Sequence, residues 1–433
     1  MDDGEADEVC REGDGYDATA TTGAVVLQYP LLCGRQLSPW QAKVNVTANL
    51  LGVATLALPW AFAEAGLLGA VVLAVVAKTS HRTWQMLLEL SAFDGQLVGR
   101  ASYPEIGRRV LGVEGHLAVL VALVFFAAGL LSCHLAAIAD ILLIFAEHRQ
   151  VMISRRSSLM MALAVSAPGV CWPPPQHLAW AVLCLGLAAT LTTSLIAVSA
   201  IVPGLTEVPA LAAVSLWPKS LRGLLNCFAV MLAQFSAQSG FEATAASDDA
   251  EELGGRGPAN SGNAFAIAAG LSSALALGGY LHFGENVHSN VLLSWAAVPS
   301  KTWLQVVQLA YLVPLAAGAA LASKPCVVCI QEIFASRRGS GAGHSERLAL
   351  LVLMCCGVLT WALQDLGHAL RFLGAFGASP LVLMLPPLFY VEMARRQSGR
   401  TMLCAENGLA LMPAVLGILL TVLCFFDVLQ SSM

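Results

Sequence analysis

The residues with chemical potential are concentrated in one run that mixes apolar bulk with amides, hydroxyls, glycine and proline. It reads Asn45-Val-Thr47-Ala-Asn49-Leu-Leu-Gly52-Val-Ala-Thr55-Leu-Ala-Leu-Pro59-Trp60. No nucleophile stands beside a base here; what the pattern offers is bare backbone. Gly52 lowers helix propensity by about 1 kcal/mol relative to alanine. Pro59 has no N–H, which frees the carbonyl of Thr55. At membrane depth such groups persist only where they line a cavity, and broken helices in secondary transporters aim their half-helix ends at the substrate. The other reading is a proline-kinked helix whose Asn and Thr side chains are satisfied by packing against neighbours.

A second run of this kind follows at Gln234-Phe-Ser236-Ala-Gln238-Ser239-Gly240-Phe241-Glu242-Ala243-Thr244, with Asp248 and Asp249 marking an interface. Ser239 is its candidate substrate contact. Elsewhere the signals are weaker. His134 and Asp140 are six residues apart and so face different sides of one helix. Cys326 and Cys329 form a C-x-x-C pair without a second pair to complete a metal site. No G-x-x-x-x-G-K-[ST] loop and no acid/base cluster stands out, so neither an enzyme nor a cofactor is expected.

The elements that position these runs follow from composition. The chain has 433 residues, 57% hydrophobic and 12% charged, against about 25% charged in soluble domains. Mean hydropathy is +0.71. This excludes a disordered chain and a soluble enzyme. The net charge of −5 offers no basic face for nucleic acid. The expected partner is the lipid bilayer; nothing bears on oligomeric state.

A membrane-spanning helix needs about 20 apolar residues. On that basis about eleven spans are expected: Val44–Gly66, Leu67–Phe93, Leu117–Glu147, Ser157–Trp172, His177–Val202, Leu221–Ala246, Ala264–Phe283, Thr302–Phe334, Leu348–Leu363, Leu370–Met393 and Leu403–Leu429. Pro173, Pro174 and Pro175 separate the fourth from the fifth. Interrupted first and sixth spans are the pattern of two inverted five-helix repeats, with one helix over. With the N-terminus in the cytosol, fifteen Lys and Arg residues fall inside and seven outside, in the sense of the positive-inside rule. Arg149, Arg155 and Arg156 run against it. Lys324 alone is left within a span. Residues 1–40, crowded with acidic side chains from Asp2 to Asp17, read as a solvated, disordered cytosolic tail ahead of a transmembrane domain over 41–433.

Several stretches resemble the amino acid/auxin permease (amino acid transporter transmembrane) family. They are Trp40-Gln-Ala-Lys-Val-Asn45 through Gly52, Leu56-Ala-Leu-Pro59-Trp60, Tyr103-Pro-Glu105-Ile-Gly107, Leu373-Gly374-Ala-Phe-Gly377 and Leu385-Pro386. The resemblance implies an all-α polytopic fold of eleven helices in inverted repeats, and a secondary active transporter of small neutral amino acids. It implies that Asn49, Leu50, Leu51, Gly52 and Val53 form the unwound stretch that holds the substrate by backbone groups. It also implies an ion site at Asn45 and Ser323, serving a proton or sodium gradient, in a vesicular, vacuolar or plasma membrane. The sixth span carries Ala243-Thr244 where the family has a Leu-Pro pair, and Lys324 stands beside the ion site. Lys324 is a candidate coupling residue, or else a snorkelling lysine. Ala316, Ala319, Ala320 and Ser323 make a small-residue face expected to pack on the first span. The competing class is an amino-acid sensor that keeps the fold and signals without flux.

Overall fold

A computed structural model of the chain describes residues 39–92, 102–171, 176–199, 214–240, 257–296, 302–335, 342–398 and 405–432. The acidic stretch expected over 1–40 lies outside them except for its last two residues. So do Pro173–Pro175, Glu242, Ala243-Thr244, Asp248 and Asp249.

Among the described residues every regular element is helical. Among the described residues six helices are long and apolar enough to cross a membrane on those two properties alone. They correspond to the first, third, seventh, eighth, ninth and tenth expected spans. Of the others, the second is more polar and the fourth and sixth are shorter, while the fifth and eleventh contain the apolar stretches Val182–Ala197 and Ala410–Phe426. The second, Leu68–Ala92, carries Lys78, Arg82 and Glu89. The fourth, Arg155–Cys171, has only 17 residues. The fifth is Gln176–Ser199 and the eleventh Ala405–Ser432. The ninth begins earlier than its apolar run, at Ala342, because Gly343 to Arg347 continue the helix.

Both expected interruptions are present. The first span is the helix Pro39–Leu50, then a 3-10 turn Val53–Ala57, then the helix Leu58–Ala65. The sixth is the helix Leu221–Gln234, a break at Phe235 and Ser236, and a 3-10 turn Ala237–Gly240. The tenth has an irregularity that hydropathy does not announce. Between Leu366–Phe372 and Leu385–Ser398, residues Leu373–Met384 form a π-helix containing Pro380. Proline removes one intrahelical donor, and π segments are rare and frequent at functional sites.

The third span, Val113–His148, is the axis of the molecule. Every residue from Leu131 to Ile141 is buried, so this stretch is covered on all faces. It packs chiefly on the eighth span, Thr302–Ala335, on the short helix Tyr103–Leu111 and on the π segment. The eighth span also packs on the fourth and fifth. One residue of its small-residue face, Ala320, meets the fourth span rather than the first. A Cβ added at Gly169 of the fourth span would lie 3.1 Å from that of Ala320.

A short helix outside the spans, Tyr103–Leu111, is capped by Ser102, whose hydroxyl accepts from the Glu105 amide at 3.3 Å. The Tyr103 hydroxyl donates to the Leu381 carbonyl of the tenth span at 2.9 Å. This fastens the family-like Tyr-Pro-Glu stretch to the π segment.

Two buried ion networks explain charges that hydropathy leaves unplaced. Asp140, 1% exposed, accepts from Arg155 Nη1 at 2.5 Å and from Asn290 Nδ2 at 3.1 Å. Arg156 lies over the Trp361 ring, 5.8 Å from its centroid. Two arginines that violate the positive-inside count are thus held by specific partners. Arg371, one of the seven basic residues counted on the outer side, is buried and donates to Asn226 Oδ1 at 3.2 Å. Asn226 in turn donates to Glu64 Oε2 at 3.5 Å, so Glu64 is joined to a chain of partners at the end of the first span.

Candidate functional site

The first half-helix ends with the Leu51 amide bonded to the Thr47 carbonyl at 3.0 Å. Gly52 is then extended (φ −76°, ψ −162°), and the Thr55 amide bonds back to the Gly52 carbonyl at 3.0 Å to start the 3-10 turn. Among the described residues the Gly52 amide has no backbone acceptor. The amides of Val53 and Ala54 open the turn, where N-terminal N–H groups have no intrahelical partner. One expectation is corrected here. Pro59 does not leave the Thr55 carbonyl free, because the tighter turn hands it the Leu58 amide instead.

Gln234, the last helical residue before the sixth-span break, stitches the two sides of this gap. Its amide nitrogen donates to the Leu50 carbonyl and to Thr55 Oγ1 (3.0 Å), and Thr55 Oγ1 lies 3.2 Å from Gln234 Oε1. Ser272 of the seventh span lies 3.3 Å from the same nitrogen. A side chain of one repeat therefore holds the broken helix of the other. The sixth-span break is held similarly. Ser80 Oγ donates to the Phe235 carbonyl, and Gln238 Nε2 donates to the Ser80 carbonyl (2.9 Å) and Thr83 Oγ1 (3.0 Å).

Beside the gap lies a cavity of about 210 Å³. A single water needs about 10–15 Å³ on this measure, so there is room for a small organic solute. The first span contributes Asn49, Leu51, Gly52 and Val53; the sixth contributes Gln234, Ser236 and Ser239; the third contributes Phe126, Leu130 and His134. The fifth and eighth close the far side with Gly186, Thr190, Tyr311, Pro314 and Gly318. No described lining side chain is a carboxylate, lysine or arginine. Charge on a bound solute meets only half-helix ends, amides, hydroxyls and one imidazole. The C-terminal end of one half-helix and the N-terminal end of the next face the same space, and these carry opposite partial charges.

The sequence profile described as "transmembrane amino acid transporter protein" matches residues 35–235 and 260–429. The chain belongs to the transmembrane amino acid transporter family. Comparison with curated proteins returns no match. Among solved structures, the transporter is similar to one titled "Inward facing conformation of Mhp1", with a TM-score of 0.57 and 10% identity over 83% of this chain and 77% of that one. That likeness is one of fold. It agrees with an integral, multi-pass membrane protein built on inverted repeats.

The transporter places its expected site residues as follows. Asn49, Leu51, Gly52, Val53 and Ser239 line one cavity. Leu50 does not: its side chain is fully buried and its carbonyl is taken by Gln234. Ser323 is buried and donates to the Ala320 carbonyl at 2.7 Å, outside the cavity lining. Lys324 is half-buried on the eighth span, also outside the lining. Asn45 belongs to the first half-helix, and its side chain lies outside the described set. Gln234 and His134 also line the cavity; the sequence offered one of His134 and Asp140 as a cavity residue and gave Gln234 no role of its own. Both stood out as polar residues in apolar spans, but a polar side chain between packed helices is the commoner meaning of that signal.

Proposed function

We propose that this transporter carries amino acids across a membrane by alternating access, binding them at the gap in its first span. The observation that carries the reading is the pairing of that gap with a cavity whose described lining holds no carboxylate, lysine or arginine. A zwitterion needs its carboxylate and ammonium met about a bond length or two apart. Free amides at Gly52 and Val53 suit the former, and the free carbonyls that end the first half-helix suit the latter. The half-helix ends add their dipoles in the same sense.

The driving force is a proton or sodium gradient. Asn45 and Ser323 supply the sodium site in one case, and Lys324 exchanges a proton in the other. Resemblance to the vesicular inhibitory amino acid transporter supports a vesicular or vacuolar membrane, with the plasma membrane as the alternative.

Counterflow of an amino acid panel in proteoliposomes, with pH and sodium gradients varied separately, tests the reading. Saturable exchange of at least one amino acid is expected. Binding without flux would replace the transporter by a sensor. Lys324→Met reports on coupling in the same assay. The variant is expected to reach the membrane and to lose its response to a pH gradient. Unchanged pH and sodium responses would reduce Lys324 to a snorkelling lysine.

A further inference from the structure

Phe126, Leu130 and His134 reach the cavity from one face of the third span, four residues apart. His134 is 8% exposed, and its Nδ1 lies 2.8 Å from the Leu130 carbonyl. A carbonyl only accepts, so Nδ1 carries the proton. In the neutral ring Nε2 is then a lone pair. No described carboxylate lines the cavity to balance an imidazolium, and a buried charge without a partner is costly. Among the described residues no group donates to Nε2.

The other polar groups on this wall have protein partners. Thr190 Oγ1 donates to the Gly186 carbonyl at 3.0 Å, and the Tyr311 hydroxyl lies 3.0 Å from Thr193 Oγ1. The ring edge rests on Gly318, where an added Cβ would overlap Nε2 and lie 2.7 Å from Cδ2. A glycine on the eighth span thus keeps open the space that the imidazole occupies. Around it the wall is apolar, with Val182, Leu187 and Pro314.

We propose that His134 Nε2 accepts a hydrogen bond from the substrate's side chain. The cavity then selects neutral amino acids that carry a side-chain N–H or O–H and rejects acidic ones. This rests on the reading that the amino acid binds at the gap in the first span. With carboxylate and ammonium held at that gap, the side chain points to the wall formed by the third, fifth and eighth spans. A serine-like or glutamine-like side chain donates to Nε2. An alkyl side chain leaves the acceptor unpaired, and a carboxylate sets lone pair against lone pair.

The test is proteoliposome counterflow of the full chain with radiolabelled alanine, serine, glutamine and glutamate. The wild type is expected to take serine and glutamine about tenfold more efficiently than alanine, the size of one hydrogen bond to a buried acceptor. Glutamate should be taken least. His134→Leu should collapse the serine-to-alanine ratio. His134→Gln, whose amide oxygen still accepts, should restore part of it. Gly318→Ala should collapse it as well, by displacing the ring without removing it. A monodisperse, cooperatively melting variant in detergent shows that folding is retained. A ratio unchanged in His134→Leu and Gly318→Ala, or a wild type that prefers glutamate or does not discriminate, overturns the inference while transport stands. Absence of exchange for every amino acid in the wild type instead removes the reading beneath it.

Discussion

Gly52 makes a sharper argument in the structure than its residue type alone suggests. Its backbone is extended rather than left-handed, and an added Cβ would meet nothing nearer than the Asn49 carbonyl oxygen at 3.7 Å. The backbone here does not require glycine. What glycine preserves is open space where the cavity meets the bare amides. Gly52→Val should therefore fold, with stability within about 0.5 kcal/mol of wild type, the range for substitutions that break no contact. Its branched side chain projects into the substrate's place, so counterflow should fall to background. Normal exchange by a well-folded Gly52→Val protein would remove Gly52 from the binding site.

The elements are held at a few points where nothing larger fits, or where a charge has been buried. At Gly374, in the π segment, a Cβ would overlap the Ala229 carbonyl oxygen of the sixth span and lie 2.9 Å from its Cα. Both atoms are backbone and cannot rotate away. Gly374→Ala should push the tenth span off the sixth and cost about 1–3 kcal/mol, as overpacking does, read as a lowered melting temperature in detergent. A wild-type melting curve would mean that the two spans are free to separate.

The third and fourth spans are joined by Asp140 and Arg155, with side chains 1% and 39% exposed. Arg155→Met leaves the Asp140 carboxylate buried with Asn290 alone. Removing one partner of a buried pair costs about 3–5 kcal/mol, and the half-exposed arginine puts the loss at the low end. Asp140→Asn added to Arg155→Met should recover part of it, because an amide needs no counter-charge. A double variant no more stable than Arg155→Met would show that the ion pair is not what the fourth span depends on.

At the scale of the whole molecule the testable quantity is sidedness. Eleven spans put the two termini on opposite faces, with Arg395, Arg396 and Arg400 on the side of the N-terminus. The tenth span ends at Ser398 with Glu392 held by Arg395 Nε at 2.9 Å and Arg396 Nε at 3.0 Å. A charged cluster of this kind marks an interface. Cysteine tags after Met1 and before Met433, probed with an impermeant reagent, should label from opposite sides. Labelling of both from one side would require an even number of spans. It would also break the pairing of two inverted repeats plus one helix.

The number of spans and the places where two of them break were decided by the sequence. Backbone in lipid must bond within its own helix, so long apolar runs and their polar, glycine-bearing interruptions stand out in the linear chain. Asn49, Leu51, Gly52, Val53 and Ser239, which line the cavity, are the residues those grounds and the family resemblance single out. Tertiary structure alone decided what meets what. Gln234 finds Thr55 across 179 positions, and Asn290 finds Asp140 across 150. It also decided that His134 faces the cavity while Asp140 turns to Arg155, and that Ala320 of the eighth span meets Gly169 of the fourth. The reason is physical. In a soluble helix the buried side is marked by contrast with water, but lipid is as apolar as a protein interior. A membrane helix therefore has little periodicity to show which face is turned inward. Only the packed neighbours define it.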